Sequence, residues 1–275
     1  MSVSLKSSRF GKTYLFVKGK IVLKEKIFTV SNLQKTYESG AVKNNVIENF
    51  DLDIYEKDFT VIMGPSGSGK STLLYCLGAM ESITNGEIIF ENEDISKLKN
   101  NALSELRLNK FGFIFQQIHL VSNLTLLENV VLPGLAGPNR TNNSVYEDAN
   151  NLLKRFGISE AANRLPSQVS GGEQQRAAIA RALINQPIII FADEPTGALN
   201  QNNSQIVMDL FSELNNSGQT IVLVTHDKRA ALRANRIIYI IDGSIVSELN
   251  LDPYQASNLQ EREDKVNEWL VSMEW

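Results

Sequence analysis

Three features of this 275-residue sequence predict an α/β fold. From about residue 27 to 249, short apolar runs of strand length alternate with helix-like segments, as in a sheet covered by helices. A glycine-rich turn, Gly64-Pro65-Ser66-Gly67-Ser68-Gly69-Lys70-Ser71-Thr72, follows the apolar segment Phe59–Met63 and precedes a helix-like stretch. A second apolar run, 188–192, ends in Asp193 and Glu194 and is stopped by Pro195.

The elements follow in order. Residues 1–26 form a basic extension, with Lys6, Arg9, Lys12, Lys18, Lys20, Lys24 and Lys26 set against Glu25 alone. It reads as a solvated or partly ordered extension rather than an arm for anionic lipid. Strands are expected at 27–30, 51–54 and Phe59–Met63, then a helix over Lys70–Leu77 and strands at 86–90 and 111–115. The middle, about 120–185, is predicted mainly helical, with turns at Pro133-Gly134, at Gly137-Pro138-Asn139 and at Pro166. Strands return at 188–192, Thr220–Val224 and Arg236–Ile241, and Asp242-Gly243 after the last favours a hairpin. From Tyr254 onward Leu259, Val266, Trp269, Leu270 and Met273 recur on one side of a helix over 251–275. That stripe packs on its own domain or, through Trp269, docks on a partner chain.

Composition bounds the function. Hydrophobic residues make up 43% and charged residues 21%, enough for both a sizeable core and a soluble surface. A net charge of −4 argues against broad nucleic-acid binding. The single cysteine, Cys76, excludes an intrachain disulfide, and with only His119 and His226 beside it a dedicated zinc site is not expected. His119 reads as structural. No apolar run approaches the roughly 18 residues that cross a bilayer. Lysines interrupt every apolar patch of the leader, so no signal-peptide core is visible. The expected location is the cytosol, and any attachment to a membrane would be through another protein.

The motifs carry the chemistry. Gly64 to Ser71 fits GxxxxGK[ST], in which glycines let successive N–H groups point inward at phosphate oxygens and the following helix adds its positive end. Lys70 would reach the β and γ phosphates and the Ser71 hydroxyl would ligate Mg²⁺. ATP and Mg²⁺ are therefore the expected substrate and ion. Asp193 is suited to hold Mg²⁺, directly or through water, and Glu194 to polarise the attacking water. A further turn, Ser170-Gly171-Gly172-Glu173, precedes an alanine-rich helix-like stretch and makes a second anion-cradling N-terminus. One ATP hardly needs both turns from one molecule. A head-to-tail homodimer, each ATP lying between one copy's Lys70 turn and the other's Ser170 turn, accounts for the pair.

Residues 170–174 resemble the signature motif of the ATP-binding cassette (ABC) ATPases. Four further matches follow in family order. Gln116 resembles the Q-loop glutamine that contacts Mg²⁺ and senses the permease, and His226 the switch histidine that contacts the γ-phosphate. Tyr37 resembles the A-loop aromatic that stacks on adenine. Gly197-Ala-Leu-Asn200 resembles the D-loop, with Asn200 where the family usually has aspartate. The resemblance implies a P-loop NTPase fold of the ABC cassette type over residues 27–250. That fold has a RecA-like core, an antiparallel β subdomain and an inserted helical subdomain at about 118–185.

The stretches 64–74, 124–133, 173–176 and 192–197 are similar to the branch holding the MacB, LolD and FtsE ATPases, with Bce-type relatives. This similarity implies a homodimer that powers a permease bearing an extracellular domain, for export or extraction of a peptide, lipoprotein or hydrophobic drug. Residues 116–129 would receive the permease. An FtsE-like ATPase controlling a cell-wall hydrolase is the alternative within the branch. A soluble nucleic-acid-acting ABC ATPase is the remote one.

Overall fold

The computed structural model describes residues 6–7, 12–17, 20–40, 42–138 and 140–273. Arg9 and Lys18 of the leader, Asn139 of the expected 137–139 turn, and Trp275 of the tail lie outside these residues. The chain divides into two compact units, one made of Met1–Leu98 with His226–Trp275 and the other of Lys99–Thr225. Among the described residues no helix is long and apolar enough to cross a membrane.

The first unit opens with strands β1 (Lys6–Ser7), β2 (Lys12–Val17), β3 (Lys20–Ser39), β4 (Val42–Tyr55) and β5 (Phe59–Met63). Helix α1 (Lys70–Leu77) and strands β6 (Asn85–Phe90) and β7 (Glu93–Asp94) follow. β2, β4 and β6 all pair antiparallel with β3. The strand expected at 27–30 is thus the centre of a much longer one that crosses residue 26 and includes Tyr37. Polar residues hide its length, because β3 is bulged against β4 at several positions and Asn32 takes φ 49°. Phe28 and Phe90 meet at 4.8 Å between ring centroids, and Leu33, Ile47 and Ile54 are buried beneath. Lys24 of the leader is ion-paired with the buried Asp58.

The second unit contains α2 (Asn100–Lys110), β8 (Phe111–Ile114), α3 (Leu126–Ala136), α4 (Asn142–Arg155) and α5 (Gly171–Leu183). Strand β9 (Ile189–Asp193), helix α6 (Gln201–Asn216) and strand β10 (Thr220–Val224) complete it. β9 lies parallel between β8 and β10, and every residue of β9 and β10 is buried. Unbroken apolar runs of this kind suit parallel strands covered on both faces. The turn expected at Pro133-Gly134 does not exist: both residues lie inside α3. A Cβ on Gly134 would meet the Val145 side chain of α4 and, at 2.9 Å, Ile184, so the glycine permits close helix packing. The Pro133 carbonyl accepts from the Asn185 amide at 2.9 Å.

The chain then returns to the first unit with α7 (Lys228–Ala231), β11 (Arg236–Ile241), β12 (Ser244–Asn250) and α8 (Leu259–Val271). β11 runs parallel to β5 and forms the Asp242-Gly243 hairpin with β12. On α8, Val266 and Leu270 are buried, the Trp269 indole donates to Ser247 Oγ at 2.9 Å, and its ring meets Tyr239 edge-on. Val266, Trp269 and Leu270 thus pack on their own unit, while Leu259 is exposed.

Candidate functional site

The fold delivers the predicted residues at strand ends. β5 ends at Met63, and the chain then turns through Gly64 to Gly69 into α1. Three glycines in this turn have positive φ, Gly64, Gly67 and Gly69. A Cβ at Gly64 would collide with the Ile240 carbonyl of β11, so this glycine is required for the loop to lie against that strand. The loop closes on itself through Ser68 N–H to Pro65 O at 3.3 Å, and it is tied to the hairpin turn by Gly243 N–H to Ser68 O at 3.1 Å. Lys70 Nζ donates to the carbonyls of Gly64 (2.9 Å) and Pro65 (2.8 Å), arching across the loop.

Val46, Gly67, Gly69, Lys70, Ser71 and Thr72 line a groove of about 280 Å³. Its size and its single ammonium group suit a polyphosphate rather than a whole nucleotide. Ser68 differs from its neighbours: its side chain is buried and its hydroxyl has no hydrogen-bond partner in the described structure, so it supports the loop from beneath. Tyr37 is 39% exposed, has the Lys35 ammonium 4.7 Å from its ring centre, and donates its hydroxyl hydrogen to Glu81. Burial and the Glu81 carboxylate push the Tyr37 phenol above its ordinary pKa. One ring face thus already meets a cation. His226 is exposed on the bend before α7 in this same unit.

The second unit holds the carboxylates. Asp193, the buried last residue of β9, is followed by Glu194 with φ 43°, a left-handed conformation that a glutamate adopts only when its surroundings enforce it. Glu194 N–H donates to Val224 O at 2.9 Å, and its carbonyl accepts from Gly197 N–H at 3.0 Å. The buried Thr225 hydroxyl donates to Glu194 Oε2 at 2.7 Å. Gln116 Nε2 lies 3.4 Å from where a Cβ on Gly197 would sit, so the glutamine and the 194–197 turn are brought together.

Sequence reasoning missed Arg181. Its guanidinium donates to the carbonyls of His119 (2.7 Å) and Ile118 (3.1 Å), pinning the loop just after Gln116. Burial lowers its pKa. The pattern carries no signal for it, since the bonds span 62 and 63 residues.

Ser170 caps α5 in a reciprocal capping box. Its Oγ accepts from Glu173 N–H at 3.3 Å, while the Glu173 carboxylate accepts from Ser170 N–H and Oγ–H at 2.8 and 2.7 Å. The first intrahelical bond is Gln174 N–H to Ser170 O, so the Gly171 and Gly172 amides lie ahead of it at the positive helix end. A Cβ on Gly172 would strike the Asn203 side chain, and Asn200 caps α6 by accepting from Asn203 N–H at 2.9 Å. The signature turn and the 197–200 turn are therefore packed together within one copy.

The Ser170 bonds hold the Glu173 carboxyl below its ordinary pKa. A depressed folded-state value contributes stability above the unfolded pKa that is lost as pH falls through the folded one. Glutamine preserves the box without titrating. Between about pH 5 and about pH 3, urea unfolding is expected to show wild type losing up to about 1 kcal/mol that the Glu173→Gln protein does not lose. Identical acid profiles would remove the carboxylate's role.

Comparisons with known proteins identify the family. The family model described as ABC transporter matches residues 47–197, more than half of the chain. The macrolide export ATP-binding/permease protein MacB of Aggregatibacter actinomycetemcomitans is 44% identical over 223 residues, covering 81% of this chain and 34% of that protein. MacB of Campylobacter fetus subsp. fetus is 42% identical over 220 residues, covering 80% of this chain and 34% of its own length. The chain thus spans about a third of the length of these curated relatives. Among solved structures, the dimeric post-hydrolysis state of the ATP-binding cassette MJ0796, bound to ADP and Pi, superposes with a TM-score of 0.77 at 41% identity. That match covers 82% of this chain and all of that one. With a phosphate loop, a strand-end carboxylate pair and a capped signature helix on a fold shared with MJ0796, the chain belongs to the ABC transporter family as one of its ATP-hydrolysing cassettes.

Proposed function

We propose that the chain hydrolyses MgATP as a head-to-tail homodimer and thereby drives a membrane permease of the MacB type. One observation carries the dimer: a single copy presents two glycine-bearing helix starts, at α1 and at α5, and each offers amide N–H groups to an anion. The relative MJ0796 is itself a dimeric cassette in its solved structure, which supports the same reading.

The roles are assigned residue by residue. Gly64, Pro65, Ser66, Gly67, Gly69 and Thr72 shape the cradle, and Lys70 turns from the Gly64 and Pro65 carbonyls toward the β and γ phosphates. The partner's signature turn, from Ser170 through Gly171 and Gly172, faces those phosphates from the other side, with Glu173 holding the turn in shape. Tyr37 offers its open ring face to adenine. Glu194, fixed by the Thr225 hydroxyl, accepts the proton of the attacking water, and His226 contacts the γ-phosphate.

Ser71, Asp193 and Gln116 fit Mg²⁺. Among the described residues there is no cluster of three or more His, Cys, Asp or Glu that could hold a metal. An ion held by a hydroxyl, one carboxylate and the substrate's own phosphates needs no such cage. When bound, Mg²⁺ neutralises phosphate charge at the transferred group.

The surface at 116–129 receives the permease, and attachment to the membrane is through that permease alone. A permease with an extracellular domain, exporting or extracting a peptide, lipoprotein or hydrophobic drug, fits the MacB-like sequence. The acidic net charge fits the absence of a nucleic-acid partner.

Complementation tests the shared site. Lys70→Ala and Ser170→Arg proteins are each expected to lose steady-state ATPase activity. Mixed in equal amounts, half of the dimers are heterodimers with one site carrying both lesions and one site carrying neither, so activity returns toward about a quarter of the wild-type level. If the mixture stays as inactive as its components, each nucleotide is handled within one copy and the proposal fails.

A further inference from the structure

Helix α7, immediately after His226, is only four residues long. An isolated helix of that length does not hold itself in place, since even those of about 12 residues are marginal. Its position must come from what it touches. Asp227 caps its start by accepting from Arg229 N–H at 2.9 Å, a local bond.

α7 packs on β5 with Ala230 and Ala231 buried, and α8 adds the polar ties. Arg262, 3% exposed, donates through Nε to Leu232 O at 2.9 Å and through its two Nη groups to the Ala234 and Asp252 carbonyls. The Leu232 and Ala234 carbonyls lie just past α7, where a cation also meets the negative helix end, and the Asp252 carbonyl lies beyond β12. A buried guanidinium is costly unless its donors are used, and here three carbonyls use them. The Tyr254 ring packs against both Arg233 (4.2 Å) and Arg262 (5.7 Å).

A second tie lies nearer His226. Lys228 Nζ, two residues beyond the histidine, donates to Glu263 Oε1 at 3.1 Å and Asn267 Oδ1 at 2.9 Å, acceptors one turn apart on α8. α8 is itself fixed by Val266, Leu270 and the Trp269–Ser247 bond. From these ties we infer that α8 is a strap that positions the His226 segment for hydrolysis, with Lys228, Glu263, Asn267 and Arg262 as positioning residues. The bonds from Lys228 and Arg262 run to Glu263, Asn267 and the Leu232, Ala234 and Asp252 carbonyls, none of them in residues 64–72, so the strap governs turnover rather than nucleotide affinity. This inference rests on the reading of His226 as the γ-phosphate contact.

The test uses the full chain and spares Arg262, whose burial makes its removal a threat to folding. Lys228 and Glu263 are each about a third exposed, so their substitution leaves the fold intact. Lys228→Ala, and separately Glu263→Ala with Asn267→Ala, are expected to lower kcat about three- to tenfold with KM for ATP unchanged. Combined, the changes should lower kcat no further than either alone, because both break one tie. Lys228→Arg, which still reaches both acceptors, should restore kcat. Wild-type kcat in the alanine variants, KM rising in step with the loss, or additive losses would each overturn the strap. His226→Ala run alongside separates the readings. If it abolishes turnover while the strap variants match wild type, only the strap is wrong; if it retains full turnover, both are.

Discussion

The Glu194→Gln protein is expected to bind ATP as wild type does and to turn it over about 10²- to 10⁴-fold more slowly, the range that a positioned general base supplies. The substitution is a clean one here. Thr225 Oγ donates to Glu194 Oε2 at 2.7 Å, and a glutamine carbonyl oxygen accepts that same bond. The backbone bonds to Val224 O and from Gly197 N–H do not involve the side chain. The left-handed backbone at φ 43° costs about 1–3 kcal/mol in either protein and is unaffected. What changes is proton acceptance, since an amide cannot take the proton from water. Phosphate release measured at saturating ATP, with light scattering to follow oligomeric state, reads both consequences: turnover falls and the ATP-bound dimer accumulates. Turnover within about tenfold of wild type would assign the water to another base.

What could be read from the sequence, and what could not, divides along the range of the interactions. α1, β5, β10 and β11 begin and end where apolar runs and turn residues place them, because local propensity and tertiary burial agree there. The α/β class and the cassette family were legible for the same reason, since the 64–72 and 170–173 turns carry their conformational requirements in their own glycines. The length of β3 was not legible. Its bulges place Lys35 and Tyr37 by pairing with β4, and no period of two survives them. Pro133-Gly134 carried a turn's composition into a helix, because Val145 and Ile184 demanded a residue without a side chain at that point.

Long-range arginines escaped for a different reason. Arg181 and Arg262 act by donating to carbonyls distant in sequence, and every residue supplies a carbonyl, so no acceptor type marks them. Asn200 illustrates the middle case. Its departure from the family's usual aspartate was visible, but its hydrogen bond to Asn203 N–H was not. Asparagine and aspartate cap helices about equally well, so the substitution leaves α6 intact while removing a charge.

Replacing Gly69 with alanine should weaken ATP binding about ten- to hundredfold, more than the same change at Gly67. Both glycines have positive φ, 91° and 85°, so both substitutions carry the left-handed penalty of about 1–2 kcal/mol. Their surroundings differ. A Cβ at Gly67 meets nothing within 4 Å, whereas one at Gly69 lies 2.9 Å from the Val46 carbonyl oxygen and 3.2 Å from Val46 Cγ1. That carbonyl belongs to β4 and cannot swing aside as a flexible side chain would. The Asp242-Gly243 turn also crowds it, since a Cβ on Gly243 would strike the same oxygen. The strain is therefore relieved by moving the loop, and Gly69 is the residue from which Lys70 departs. Displacing it breaks the Lys70 bonds to the Gly64 and Pro65 carbonyls and misaligns the 280 Å³ groove. Titration calorimetry with ATP on both variants reads the order directly. Equal losses would mean that backbone conformation alone sets the cradle, and wild-type affinity in Gly69→Ala would show that the Val46 strand yields.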